Sequence, residues 1–188
     1  MMRSFFAISL PEEFREEISR LRDQLRPCGA DVKYVRPESV HLTLKFLGDI
    51  PEAMATPLSR AVSQAASSST PFDLKIQGVG LFPGPRRPRV IWLGLTGDVE
   101  KLSALRETVE TVAEQFGFPR EDRAFTPHLT LGRVRSPRGG DSLAANLNKL
   151  DPRPLGFTAR ELVLFQSILK PSGAVYNPLE RIPFLGRI

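Results

Sequence analysis

The chain has 188 residues, 26 Lys and Arg against 21 Asp and Glu for a net charge of +5, and 41% hydrophobic residues. That is ordinary globular usage in a length suited to one compact domain, so wholesale disorder is excluded and a core can form without staples. A single cysteine, Cys28, excludes an intramolecular disulfide framework and a Cys/His zinc cluster, while the basic balance is one footprint of a nucleic-acid partner.

The N-terminal run 5–10 is too short for the apolar part of a leader, and Pro11-Glu12-Glu13 stands where a small-residue cleavage site would lie. It is predicted as a first strand. No segment approaches the roughly 18 apolar residues of a membrane helix. With no address signal and one thiol, the expected setting is cytoplasmic. A helix follows from Pro11, with Phe14, Ile18, Leu21 and Leu25 in one apolar stripe and Pro27-Cys28-Gly29 as its stop. Residues 32–36 and 40–47 read as strands joined through Pro37-Glu38-Ser39. A second helix is expected over 57–67, with Leu58, Val62 and Ala65 inward, before the polar break 67–71. Strands 72–82 and 89–96 flank the loop 83–88. Asp98 then caps a long helix buried through Leu102, Leu105, Val109, Val112 and Phe116, which Gly117 ends.

At this point the pattern repeats. His41-Leu42-Thr43-Leu44 and His128-Leu129-Thr130-Leu131 begin 87 positions apart (128 minus 41), and the same shift carries Phe5 onto Trp92 and Pro11 onto Asp98. A shift of 87–88 overlays 72–82 on the apolar run 159–169. The expectation is a single bilobal unit over residues 1–188, with His41 and His128 equivalent. Short, mostly antiparallel strands with segregated helices make it α+β.

These two histidines are the only ones in the chain. Strand alternation puts His41 and Thr43 on one face, with Leu42 and Leu44 on the other; His128 and Thr130 separate from Leu129 and Leu131 in the same way. If the lobes face each other about a pseudo-twofold axis, two imidazoles and two hydroxyls line one cleft. An imidazole titrates near pH 6.5, so one ring can take a proton from an attacking oxygen while the other gives one to a leaving oxygen. The threonine hydroxyls can donate to developing negative charge on a phosphoryl group. No metal or cofactor is expected, because the pair lacks a third ligand in register, and no Gly-x-Ser-x-Gly elbow or Cys/His pair offers a nucleophile.

The two His-x-Thr-x motifs resemble those of the two-histidine phosphoesterases, and within them the RNA 2′,3′-cyclic phosphodiesterase family, also called 2′–5′ RNA ligase. The resemblance covers nearly the whole chain. It is carried by Arg3-Ser4-Phe5-Phe6-Ala7-Ile8, the motif reading on through Lys45-Phe46-Leu47-Gly48, Arg89-Val90-Ile91-Trp92-Leu93-Gly94, the stretch 125–133, and Gly173-Ala174-Val175-Tyr176. It implies a bilobal fold around a central cleft and metal-independent opening of a 2′,3′-cyclic phosphate to a 2′-phosphate. His41 would give the proton to the departing 3′ oxygen and His128 would activate water, with the reverse assignment left open by the pseudosymmetry. Thr43 and Thr130 would hold phosphate oxygens, and Arg133 matches a phosphate-binding arginine of the family. Strict alternation puts Arg133 on the face opposite His128, so that role requires a bulge, a strand end or a long reach. The implied partner is RNA with a 2′,3′-cyclic phosphate end, or a small cyclic nucleotide, acted on by a monomer with no membrane association. Joining of RNA ends through a 2′–5′ linkage, and a non-catalytic RNA-binding module, are the alternatives. Arg86, Arg87, Arg89, Arg135 and Arg138 are candidates for RNA backbone contacts or for solvated loop charge, and Tyr34, Phe46 and Tyr176 for base stacking. Core packing is the expected role of Phe46, and Trp92 reads as part of a buried strand.

Overall fold

The computed structural model describes residues 1–171 and 173–186. Nine strands and four α-helices follow in the order β1 (Met2–Ser9), α1 (Glu13–Leu25), β2 (Val32–Tyr34), β3 (His41–Ile50), α2 (Ala55–Ala65), β4 (Phe72–Phe82), β5 (Val90–Gly97), α3 (Val99–Gln115), β6 (His128–Val134), α4 (Gly140–Leu147), β7 (Gly156–Ala159), β8 (Glu161–Lys170) and β9 (Gly173–Pro183) among the described residues. They form two sheets, ordered β3-β1-β8-β9 and β2-β6-β5-β4-β7. Every strand pairing among the described residues is antiparallel, so the fold is α+β with two lobes. Neither lobe is a continuous piece of chain. β8 and β9 join the sheet of β1 and β3, while β4 crosses to the other sheet beside β5 and β2 to its edge beside β6.

Helices α2 and α3 pack on one another and against β9 and β3, and α1 packs on α4, with Phe14 meeting Phe157 of β7 edge-on at 5.3 Å. A single apolar core runs through both layers. Among the described residues no helix is long and apolar enough to cross a membrane.

Four expectations are corrected. Ala66, the residue capping the C-terminus of α2, is buried and Ala65 is not, because the inward stripe steps by four from Leu58 through Val62. Phe116 is half-buried and lies just past the end of α3. Asp98 makes no side-chain cap; its carboxylate accepts instead from the Asp73 N–H at 3.1 Å and from Lys101 at 3.2 Å, tying β4 to the start of α3. The run 159–169 divides at Arg160 between β7 and β8. Helix α4 carries no strong signal in the sequence: Leu143 and Leu147 alone anchor eight residues that include Gly140, Asp141, Ser142 and Asn146.

Candidate active site

The two motif strands, β3 and β6, lie against one another where the sheets meet. Leu42, Leu44, Leu129 and Leu131 are all at most 3% exposed, while His41, Thr43, His128 and Thr130 are half-buried on the opposite faces of their strands. The alternation predicted from the sequence holds over each motif and then breaks. Pairing with β1 passes from Ala7–Thr43 to Phe6–Lys45 and skips Leu44; pairing with β5 passes from Trp92–Thr130 to Ile91–Gly132 and skips Leu131. Each motif therefore carries a β-bulge at its second leucine, three residues after the histidine.

The extra residue reverses the facing of everything beyond it. Leu131 and Gly132 are consecutively buried and Arg133 is exposed, on the face of His128 rather than opposite it. The bulge supplies what strict alternation denied. The positive charge of Arg133 is felt by both His41 and Tyr176, so it lies on their side of the site. In the other lobe the same phase change turns Lys45 inward, to 2% exposed, and Phe46 outward, to 53% exposed. Phe46 is thus not a core residue; its ring lies 5.7 Å from that of Phe5.

Both imidazoles are oriented by a backbone carbonyl two residues earlier in the chain. His41 Nδ1 is 2.9 Å from the Ser39 carbonyl and His128 Nδ1 is 2.7 Å from that of Thr126. A neutral ring donates its Nδ1–H there, which leaves the Nε2 lone pair free on the other edge. Both rings also have aromatic walls. Phe5 stacks on His41 at 4.6 Å and Tyr176 meets it edge-on at 4.9 Å. Phe82 meets His128 edge-on at 5.1 Å and stacks at 5.0 Å on Trp92. The Trp92 ring lies over Gly80, where a Cβ would come within 2.0 Å of it, so a glycine is required. Trp92 is half-buried, on the face of Thr130, and not sealed in a strand interior.

The aromatic enclosure has an electrostatic result. Burial pushes the His41 imidazole down from 6.5 to about 4, against the raising effect of the Ser39 carbonyl and assisted by the Arg133 charge. At neutral pH the His41 ring is therefore uncharged. Burial also raises the Tyr176 phenol above its ordinary value.

Of the further candidates, Lys33 faces Arg133 directly across β2–β6, and Arg135 lies two residues along from Arg133. All three are exposed. Neither Lys33 nor Arg135 has an ion-pair partner among the described residues. Like charges set opposite one another oppose strand pairing. Arg86, Arg87 and Arg89 are exposed in and beside the β4–β5 connection, and Arg138 is exposed beyond β6. Tyr34 is turned away from the cleft: it packs against the core over Gly132, and burial pushes its phenol up to about 12. Phe5, Phe82, Phe165 (whose ring stacks on Phe5 at 5.5 Å) and the orienting carbonyls of Ser39 and Thr126 are site components outside the two motifs. A backbone carbonyl is common to every residue type, so the sequence carries no signal for the two that orient the rings.

Comparison with known proteins gives the chain's family and its overall likeness. The family model for LigT-like phosphoesterases matches the chain twice, over residues 8–92 and 93–176. The RNA 2′,3′-cyclic phosphodiesterase of Methanothermobacter thermautotrophicus is 38% identical over 180 residues, covering 95% of this chain and 97% of the relative. A crystal structure from Thermus thermophilus superposes with a TM-score of 0.80 at 30% identity and full coverage of both chains. That of E. coli LigT complexed with 3′-AMP superposes at 0.76, with 28% identity over 97% of this chain and 98% of that one.

Proposed function

The chain belongs to the LigT-like phosphoesterase family, and from that premise we propose that it opens 2′,3′-cyclic phosphates at RNA ends to 2′-phosphates, with His41 and His128 as the acid–base pair. The observation that carries this reading is the matched presentation of both rings. Each is pinned through Nδ1 to a carbonyl and walled by aromatic residues, leaving Nε2 to exchange protons. Two relatives of high coverage named for this activity support it.

In the proposed step, water attacks phosphorus as the P–O3′ bond breaks. His128 accepts the water proton and His41 delivers a proton to O3′, so the product is a 2′-phosphate with a free 3′-hydroxyl. Thr43 and Thr130 donate hydrogen bonds to the non-bridging oxygens, and Arg133 offsets the charge that grows on them. His41 must carry a proton to fill this role. The anionic phosphate supplies the missing countercharge on binding, so substrate and proton enter together. The proposed catalyst needs no metal, since two imidazoles perform both transfers. It is one bilobal unit, acting as a monomer; the equivalence of His41 and His128 within it is supported by the two successive family matches.

The basic residues Arg133, Lys33 and Arg135 favour an RNA strand over a small cyclic nucleotide, because an unpaired like-charge set beside the cleft is stabilised by a polyanion. The test incubates the pure protein with EDTA and an oligoribonucleotide ending in a 2′,3′-cyclic phosphate, and identifies the product isomer. The expected result is a 2′-phosphate, with turnover falling more than ~100-fold in His41→Ala and in His128→Ala. Exclusive 3′-phosphate product, or full turnover in either variant, overturns the reading. A substrate with sulfur at the 3′ leaving position separates the roles: it restores His41→Ala, whose proton a thiolate does not need, and leaves His128→Ala impaired.

A further inference from the structure

Away from the cleft, behind the bulge of β3, lies a buried charge cluster for which the acid–base chemistry has no direct use. Glu110 on α3 is 1% exposed. One of its oxygens accepts from Lys45 Nζ at 2.6 Å and the other from Arg106 at 2.9 Å. Lys45 also donates to the carbonyl of Pro119 at 2.5 Å. The Arg106 guanidinium sits 5.0 Å from the centroid of the Phe125 ring, a cation–π distance. Both anchored points, Pro119 and Phe125, lie on the connection 116–127, which contains neither helix nor strand and runs directly into His128.

The two histidines depend on their surroundings to different extents. Ser39, which orients His41, closes a short turn with its own backbone bonds, Ser39 N–H to Arg36 and Val40 N–H to Pro37. Thr126, which orients His128, stands at the end of that irregular connection. An irregular segment that must place a carbonyl to within a fraction of an ångström requires external support. Residue Phe125, next to Thr126, is where the cluster grips.

We propose that Glu110 is a positioning residue for His128, acting through Lys45 and Arg106 to fix the 116–127 connection and hence the Thr126 carbonyl that orients the imidazole. A buried ion triad is an expensive way to gain stability alone, since apolar side chains of similar volume serve that purpose as well or better. What the triad adds is directionality: a single carboxylate sets the places of two cations, one on the strand of His41 and Thr43 and the other on the helix leading to His128. The irregular connection that carries His128 is thereby referenced to the regular strand β3. This inference rests on the proposed acid–base role of His128.

The experiment uses the full chain with Glu110→Gln, Arg106→Met and Arg106→Lys. Because the protein has two histidines, their ring signals are separately readable by NMR at natural sequence. Expected in Glu110→Gln and Arg106→Met are a shift of the His128 ring-nitrogen and Cε1–H resonances with those of His41 unmoved, and a drop in kcat on a nucleoside 2′,3′-cyclic phosphate of about 10-fold or more with KM within threefold. Arg106→Lys, which keeps the cation over Phe125, restores both. Should Glu110→Gln fail to fold, Arg106→Met, altered at a partly exposed side chain, carries the test. Unmoved His128 resonances, equal disturbance of both rings, or unchanged kcat in folded variants overturns the proposal. Absence of turnover in the wild-type protein refutes the phosphodiesterase reading instead, and the ring signals still report on positioning.

Discussion

His41 shows how far one side chain's surroundings decide its chemistry. Free imidazole would be partly protonated near neutrality; enclosed by Phe5 and Tyr176, this one is held neutral, at about 4. Two consequences follow. The folded-state value lies below the unfolded one, so the unfolded chain takes up the proton first as pH falls. The stability from burying a neutral ring is intact above about 6.5 and erodes between 6.5 and 4. At 1.4 kcal/mol per unit, urea denaturation of wild type and His41→Gln should show their stability difference changing by about 2 kcal/mol against the wild type between pH 7 and pH 4.5. A constant difference would show that the ring is not held neutral. Secondly, binding of a 2′-phosphate nucleotide should take up a proton and weaken as pH rises. Calorimetry in two buffers of different ionisation enthalpy reads that proton directly, and the uptake should vanish in His41→Gln.

At the scale of the element, the paired bulges do most to turn a legible motif into a site. Residues His41, Thr43, His128 and Thr130 could be assigned to one face from alternation alone, and so could the burial of the intervening leucines. Arg133 and Phe46 could not, because a bulge leaves no trace in a run of strand-forming residues: Leu131-Gly132 reads as continuation, and only the skipped pairing with β5 reveals the phase change. The aromatic walls were hidden for a related reason, as they come from neighbouring strands whose register the sequence does not state. Arg133→Ala should weaken binding of a 2′-phosphate nucleotide by about 1.5–3 kcal/mol, the worth of a hydrogen bond to a charged group, which titration calorimetry measures. Along β2 and β6, Lys33→Ala and Arg135→Ala should each reduce the salt slope of oligoribonucleotide binding by about 0.7 and leave that of a mononucleotide unchanged. On β4, Gly80→Ala should tilt Trp92 and, through Phe82, disturb His128 rather than His41, which the two ring signals would report.

The whole molecule departs most from what the repeat led one to expect. The sequence reads as two successive similar halves, yet each sheet takes strands from both, and one core runs through the pair. Periodicity reports local structure, whereas the exchange of β2 and β4 for β8 and β9 between sheets depends on long-range pairing that no local pattern encodes. Thermal unfolding should therefore be a single cooperative transition by both near- and far-ultraviolet circular dichroism. Residues 1–97 expressed alone should lack the near-ultraviolet signal of packed aromatic residues; a native-like spectrum from that piece would contradict a shared core.

The same weave bears on how the protein is made. As the chain leaves the ribosome, the strand bearing His41 can pair with β1, but β1's other neighbour, β8, and the edge strand β9 emerge only after every element from β4 to β7. A two-stranded ribbon is marginal in water, and its open edge is a template for unwanted pairing. Tyr176, which closes the wall around His41, arrives with β9. The nascent chain thus stays unable to complete the pocket around His41 until β9 has been synthesised, and for that interval the apolar strand Met2–Ser9 is the segment most in need of a chaperone.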